Sequence, residues 1–299
     1  MPTRIILDTD IGDDIDDAFA LALAVTSPEL KLMGVTTVHG PVEKRAQIAR
    51  KLLNEAGAAD VPVIPGFYGC GSEDHEPNQA RWAAGQGLRP PSQAAVDYIV
   101  QEVEAAPGEI TVVAIGPLSN VARSIEEESS IARKMTELVI MGGSVYRGYG
   151  GEPDPVVEYN IGCDPESARK VFESGVKLTV VPLDATGTLL LPNEYIRILE
   201  SSDAALAHAV TQLMLLWRGD TSRQPVLHDP LAVATVFDRS LGRFEPMRLE
   251  VTGDGLTVPA GGAPNAQVCL EADARRLFDL VIGRIAAHDA PWLTPETPG

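Results

Sequence analysis

Six aspartates stand within ten residues near the start of the chain: Asp8, Asp10, Asp13, Asp14, Asp16 and Asp17. They follow the apolar triplet Ile5, Ile6 and Leu7, which reads as a strand over 4–8, and they run into a helical period over 15–26. One or two acids at a helix start are routine, because they cap free N–H groups and match the dipole. That explains Asp13 or Asp14. It does not explain six, since carboxylates crowded at the end of a buried strand repel one another and must protonate or share a cation. The run therefore demands a fold that leaves this junction open to an ion. Ligation by oxygen alone suits a hard divalent ion, and calcium accepts irregular coordination more readily than magnesium, so Ca2+ is the expected cofactor.

The strand-then-helix order repeats down the chain. Residues 31–38 read as a strand and 42–56 as a helix; 94–105 (helix), 110–115 (strand), 138–141 (strand), 165–174 (helix) and 178–182 (strand) continue the series. Such alternation implies right-handed crossovers and an α/β fold of the Rossmann-like kind: a mainly parallel sheet with helices on both faces. Ligands bind such sheets at the carboxyl ends of their strands. The stretches 66–91 and 146–155, rich in Gly and Pro, predict surface loops. Residues 192–237 read as mostly helical, 247–252 and 265–270 as late strands, and 273–288 as a closing helix. Neither a repeat nor a linker divides the chain, so 1–299 is expected to be a single domain with helical insertions.

Charge narrows the partners. A formal net charge of -18 repels a phosphate backbone and anionic lipid, so the expectation is no nucleic acid and no membrane. The apolar runs fall far short of the ~20 residues of a bilayer span, and the N-terminus lacks the basic and small-residue pattern of a secretory signal, which predicts a cytoplasmic protein. Cys70, Cys163 and Cys269 lack metal-knuckle spacing, and each is expected to be a small buried hydrophobe.

A second signal is His228-Asp229-Pro230, followed by an apolar run. Asp229 at the N-cap with Pro230 after it is an ordinary helix start, yet a helix start can also deliver a carboxylate to a metal and set a histidine beside it.

Together these segments resemble the inosine-uridine preferring nucleoside hydrolase family. That family carries DTDxGxDDA, VxxGPLTN, MGG, EFN or EYN, DPEAA and a late HDPLA. The counterparts here are 8–18, VAIGPLSN at 113–120, Met141-Gly142-Gly143, Glu158-Tyr159-Asn160, DPESA at 164–168 and HDPLA at 228–232. The resemblance runs from residue 4 to about 285. It implies that Asp10 bridges calcium and the attacking water as general base, that Asp17, Asp229 and the carbonyl of Ile115 complete the protein's metal ligands, and that Asp16, Glu158, Asn160 and Met141 hold the ribose. His228 would protonate the departing base. The substrate would be a small-molecule nucleoside and the assembly a homo-oligomer, a dimer or tetramer. The chain departs from the pattern in having Ile11 for Pro and two extra residues before Asp16, which leaves Asp13 or Asp14 as alternative site acids. It also has Gly40-Pro41 where many members have Gly-Asn, and Trp82 where a histidine loop is common. Two other readings are a calcium-dependent ribose-binding protein without catalysis and a haloacid dehalogenase-type phosphatase, which Gly12 disfavours.

Overall fold

Ile5, Ile6 and Leu7 have no exposed surface, because the strand that carries them lies inside the sheet with neighbours on both edges. The computed structural model describes residues 1–88, 94–219 and 221–288. Its strands are β1 (Thr3–Thr9), β2 (Leu30–Thr37), β3 (Val63–Pro65), β4 (Ile110–Ala114), β5 (Glu137–Met141), β6 (Leu178–Val181), β7 (Gly242–Met247), β8 (Leu249–Val251), β9 (Thr257–Pro259) and β10 (Ala266–Ala272). Eight form one sheet in the order β3-β2-β1-β4-β5-β6-β10-β7, while β8 and β9 make a separate hairpin. Within the large sheet every pairing is parallel except that of β7 with β10. The α/β expectation is met.

Alternation along β1 divides two cores. Ile5 and Leu7 join the cluster beneath helices Asp16–Thr26, Val42–Glu55, Ala205–Arg218 and His228–Thr235. Ile6 joins the opposite cluster, with helices Ala95–Ala105, Ser119–Glu127 and Pro165–Glu173. Helix Asp16–Thr26 is buried almost all round and packs on helix His228–Thr235. That contact brings the two acidic segments of the sequence together.

Sequence reading missed β3, a three-residue edge, and β7, whose GRFEPM is half polar and contains Pro246. An edge strand tolerates proline because one row of its N–H groups faces solvent. The expected strand 247–252 is divided: Met247 ends β7, and Leu249–Val251 turns away into the hairpin with β9. The loop 66–91 contains a 3₁₀ turn at Ala80–Ala83, and its last three positions lie outside the described residues. The late helix begins at His228 after Leu227, so Asp229 lies inside its first turn and is not the N-cap. No helix among the described residues is long and apolar enough to cross a membrane.

Candidate active site

The strand order reverses direction between β1 and β4, and a crevice opens at their carboxyl ends, the usual ligand position in such sheets. A cavity of about 320 Å³ lies there, within the ~300–1,000 Å³ span of small-molecule sites. Its floor is acidic. Asp16, Asp17 and Asp229 are 5, 4 and 4% exposed, and one carboxylate oxygen from each lies within 4.8 Å of the others. The peptide N–H of Asp229 donates to Asp16 Oδ2 at 3.3 Å, and the Thr9 hydroxyl donates to Asp17 Oδ1. Burial, then repulsion from neighbouring aspartates that include Asp10 and Asp14, lifts all three carboxyls well above the ordinary carboxylate range. Oxygen donors gathered in this way fit a hard divalent cation.

Asp10 lines the same cavity but stands apart from the three. Its carboxylate lies over Gly116, where a Cβ would come within 2.9 Å of Asp10 Oδ1, so the glycine of the VAIGPLSN turn makes room for it. Burial lifts the Asp10 carboxyl to about 6 against the pull of Arg45. The Arg45 guanidinium grips the carbonyls of Asp10, Ile11 and His39 and pairs with Asp13 at 2.9 Å. Asp13 also meets His75 at 2.8 Å. Burial works against ionisation of Asp13, but the hydrogen bond from His75 and the charge of Arg45 outweigh it and hold the carboxyl below its usual range. Asp13 also lines the cavity, but its carboxylate is engaged by Arg45 and His75. Asp14 lines the cavity and accepts from the Ile15 N–H at 2.6 Å, so the geometry groups Asp16 and Asp17, and neither alternative, with Asp229.

The opposite wall holds the ribose candidates. Asn160 Nδ2 donates to the carbonyls of Ile115 (2.9 Å) and Met141 (3.1 Å), tying the ends of β4 and β5 together. Met141 is buried against it. Glu158 caps the short helix Tyr159–Cys163: Oε1 accepts from Asn160 N–H, and Oε2 from Gly143 and Ile161 N–H. Burial raises its carboxyl only partly against those three bonds.

His228 also lines the cavity. Its Nδ1 lies 2.8 Å from Thr186 Oγ1, whose own hydroxyl donates to the Pro182 carbonyl. Nδ1 is then the protonated nitrogen, and Nε2 offers a lone pair. Burial lowers the imidazole to about 4, which keeps it neutral near pH 7. Tyr149 lies edge-on to its ring, with Trp217 and Arg223 also at the cavity. Trp82 is not among the lining residues; it bonds Gln212 and lies under Lys51. Pro41 precedes helix Val42–Glu55 directly. Sequence reading missed Arg45, although a lone arginine on the apolar face of 42–56, three residues from Val42 and from Ile48, is a signal of a buried guanidinium.

The model of the inosine-uridine preferring nucleoside hydrolases matches residues 5–279. The chain belongs to this family. A uridine nucleosidase of Arabidopsis thaliana is 33% identical, covering 85% of this chain and 80% of that one. The non-specific ribonucleoside hydrolase RihC of Escherichia fergusonii is 34% identical over 92% and 95%, and the inosine-uridine preferring enzyme of Leishmania major 31% over 94% and 97%. Among solved structures, the plant nucleoside hydrolase PpNRh1 superposes with a TM-score of 0.86 at 28% identity, covering 96% of this chain and all of that one. This nucleoside hydrolase fold therefore extends over almost the whole chain, and the phosphatase reading falls.

Proposed function

We propose that the chain is a calcium-dependent N-glycosidase that hydrolyses ribonucleosides to free base and ribose. The observation that carries this is the buried set Asp16, Asp17 and Asp229 at the strand ends where the family's relatives, named ribonucleoside hydrolases and uridine nucleosidases, share the fold. Asp10, Asp17, Asp229 and the Ile115 carbonyl would hold the ion. Calcium, when bound, would offset the crowded negative charge and make an adjacent water easier to deprotonate. Asp10 takes the proton of the water that attacks C1′. Asp16 keeps one oxygen for a ribose hydroxyl, and the Asn160 amide fixes the sugar against Met141. The positive charge that develops on the sugar lies among carboxylates already in place, so the transition state is bound more tightly than the ground state. For His228 to serve as the acid, its Nε2 takes a proton from solvent as the substrate binds and gives that proton to the base as the C–N bond breaks. In the cell the enzyme is proposed to act in the cytoplasm as a homo-oligomer, its exposed Leu190, Ile198 and Leu215 being candidates for contact.

The test is release of free ribose from inosine, uridine and their 2′-deoxy analogues, with calcium and after chelation. Cleavage of ribosides only, and only with calcium, is expected; deoxyribosides leave buried polar partners unmatched. His228→Ala should lower kcat on inosine by ~10²–10⁴-fold yet spare p-nitrophenyl riboside, whose leaving group needs no proton. Equal losses on both substrates would make His228 a positioning residue.

A further inference from the structure

We propose that His39, Cys70 and Cys163 form a second metal site, separate from the aspartate floor, that takes a thiophilic divalent cation of the Zn2+ kind. The expectation that all three cysteines are plain buried hydrophobes holds only for Cys269; Cys70 is exposed and Cys163 partly so. One ligand atom from each of His39, Cys70 and Cys163 lies within 4.8 Å of the other two. His39 Nδ1 and Cys70 Sγ are 3.6 Å apart. Tetrahedral ligation with Zn–S near ~2.3 Å and Zn–N near ~2.05 Å requires a nitrogen–sulfur separation of about 3.6 Å, so this edge of the site already has its bound dimension.

The imidazole is also oriented for the task. His39 Nε2 lies 3.1 Å from the Tyr159 hydroxyl, which can accept its proton and leave the Nδ1 lone pair toward the sulfurs, the arrangement by which metal-binding histidines are fixed from behind. His39 is the one non-glycine at positive φ (69°) among the described residues, a conformation that costs free energy and persists where the surroundings impose it. They do so here: its N–H donates to Phe67 O at 3.0 Å, and its carbonyl accepts from Arg45 Nε at 2.6 Å. Two sulfurs and one imidazole select a softer ion than the oxygen floor does, so the two sites need not compete for one metal.

On binding, each coordinating thiol releases its proton to solvent and the sulfur stays reduced, so no oxidant is needed. Cys163 ends the helix that carries Asn160, and Cys70 belongs to the loop after β3. The cation would join that loop to the wall of the main cavity. Binding itself does not depend on the glycosidase reading.

Cobalt(II) is the probe. Full-length protein, reduced, freed of reductant under inert gas and saturated with calcium, should take up a single equivalent with a thiolate-to-cobalt charge-transfer band, which the carboxylate floor cannot produce. Zn2+ should erase the band and protect Cys70 and Cys163 from iodoacetamide. Cys163→Ser should abolish the band, and His39→Asn, which suits a left-handed backbone, should weaken it. Absence of the band in the parent protein, its survival in Cys163→Ser, or alkylation unaffected by zinc would each overturn the site. So would recovery of a Cys70–Cys163 disulfide from a protein that takes up no cobalt when reduced. Should Cys163→Ser not fold, the parent's absorbance and alkylation decide alone.

Discussion

Two sets of buried acid face each other across the cavity, and they are held by different means. Glu158 on the wall gives both oxygens to three backbone N–H groups, so its charge is solvated by the protein itself. On the floor, Asp16 accepts from the Asp229 N–H and Asp17 from the Thr9 hydroxyl, and the dominant neighbours are other aspartates. A buried carboxylate with its hydrogen bonds made is scaffolding that can also touch a ligand. Three with so few, crowded together, could hold an ion. Burial alone does not distinguish the two cases; the partners do.

Activity gives the largest test of that contrast. At saturating calcium, Asp10→Asn should lower kcat by ~10²–10⁴-fold, the usual worth of a general base, while its substrate binding changes far less. Glu158→Gln should act mainly through KM and folding. Steady-state kinetics on inosine and uridine separate the two, and a kcat loss in Glu158→Gln as large as that in Asp10→Asn would erase the distinction between floor and wall.

Stability gives the next. Glu158→Gln turns an amide N–H2 toward backbone donors and should cost about 1–3 kcal/mol, with or without calcium, as for any buried donor left unmatched. Asp16→Asn removes a repelling charge. It should make the calcium-free protein more stable while shrinking the gain on adding calcium, which for the parent is ~2.7 kcal/mol at a hundredfold excess over Kd. Chemical denaturation with and without chelator measures both, and a calcium-free Asp16→Asn less stable than the parent would contradict the account.

The smallest effect is a slope with pH. The floor acids and Asp8, whose carboxyl burial lifts to about 7, bind protons more tightly folded than unfolded. Their contribution is therefore complete below the ordinary 3.8 and is lost as pH rises through the folded values. His39 and His228, lowered from 6.5, act in the opposite sense only below that value. From 6.5 to about pH 8 the calcium-free protein should lose stability as carboxyls ionise, and saturating calcium should flatten or reverse the slope, since protons and metal compete. A calcium-free protein that grows more stable over this interval would contradict the raised values.

What the sequence discloses here is what lies close along it. β1, its aspartates and the His228-Asp229 pair are local, and the fold joins them through one helix contact. The edge strand β7 stayed hidden because its polar, proline-bearing residues carry no period. Arg45, His75, Thr186 and the trio His39, Cys70 and Cys163 stayed hidden because their roles exist only after distant segments meet. Tyr159 was in view as the middle of Glu158-Tyr159-Asn160, yet its bond to His39 spans 120 positions, and no local pattern encodes that.

The bond from Asp229 to Asp16 spans 213 positions. On the ribosome, at ~5–20 residues per second, about 10–40 s separate the emergence of the two ends. For that interval the nascent chain presents its aspartate run without the carboxylate that completes the floor. On the proposed reading a half-made chain would have little grip on calcium, and the ion would enter with the closing of the late helix rather than serve as a template before it.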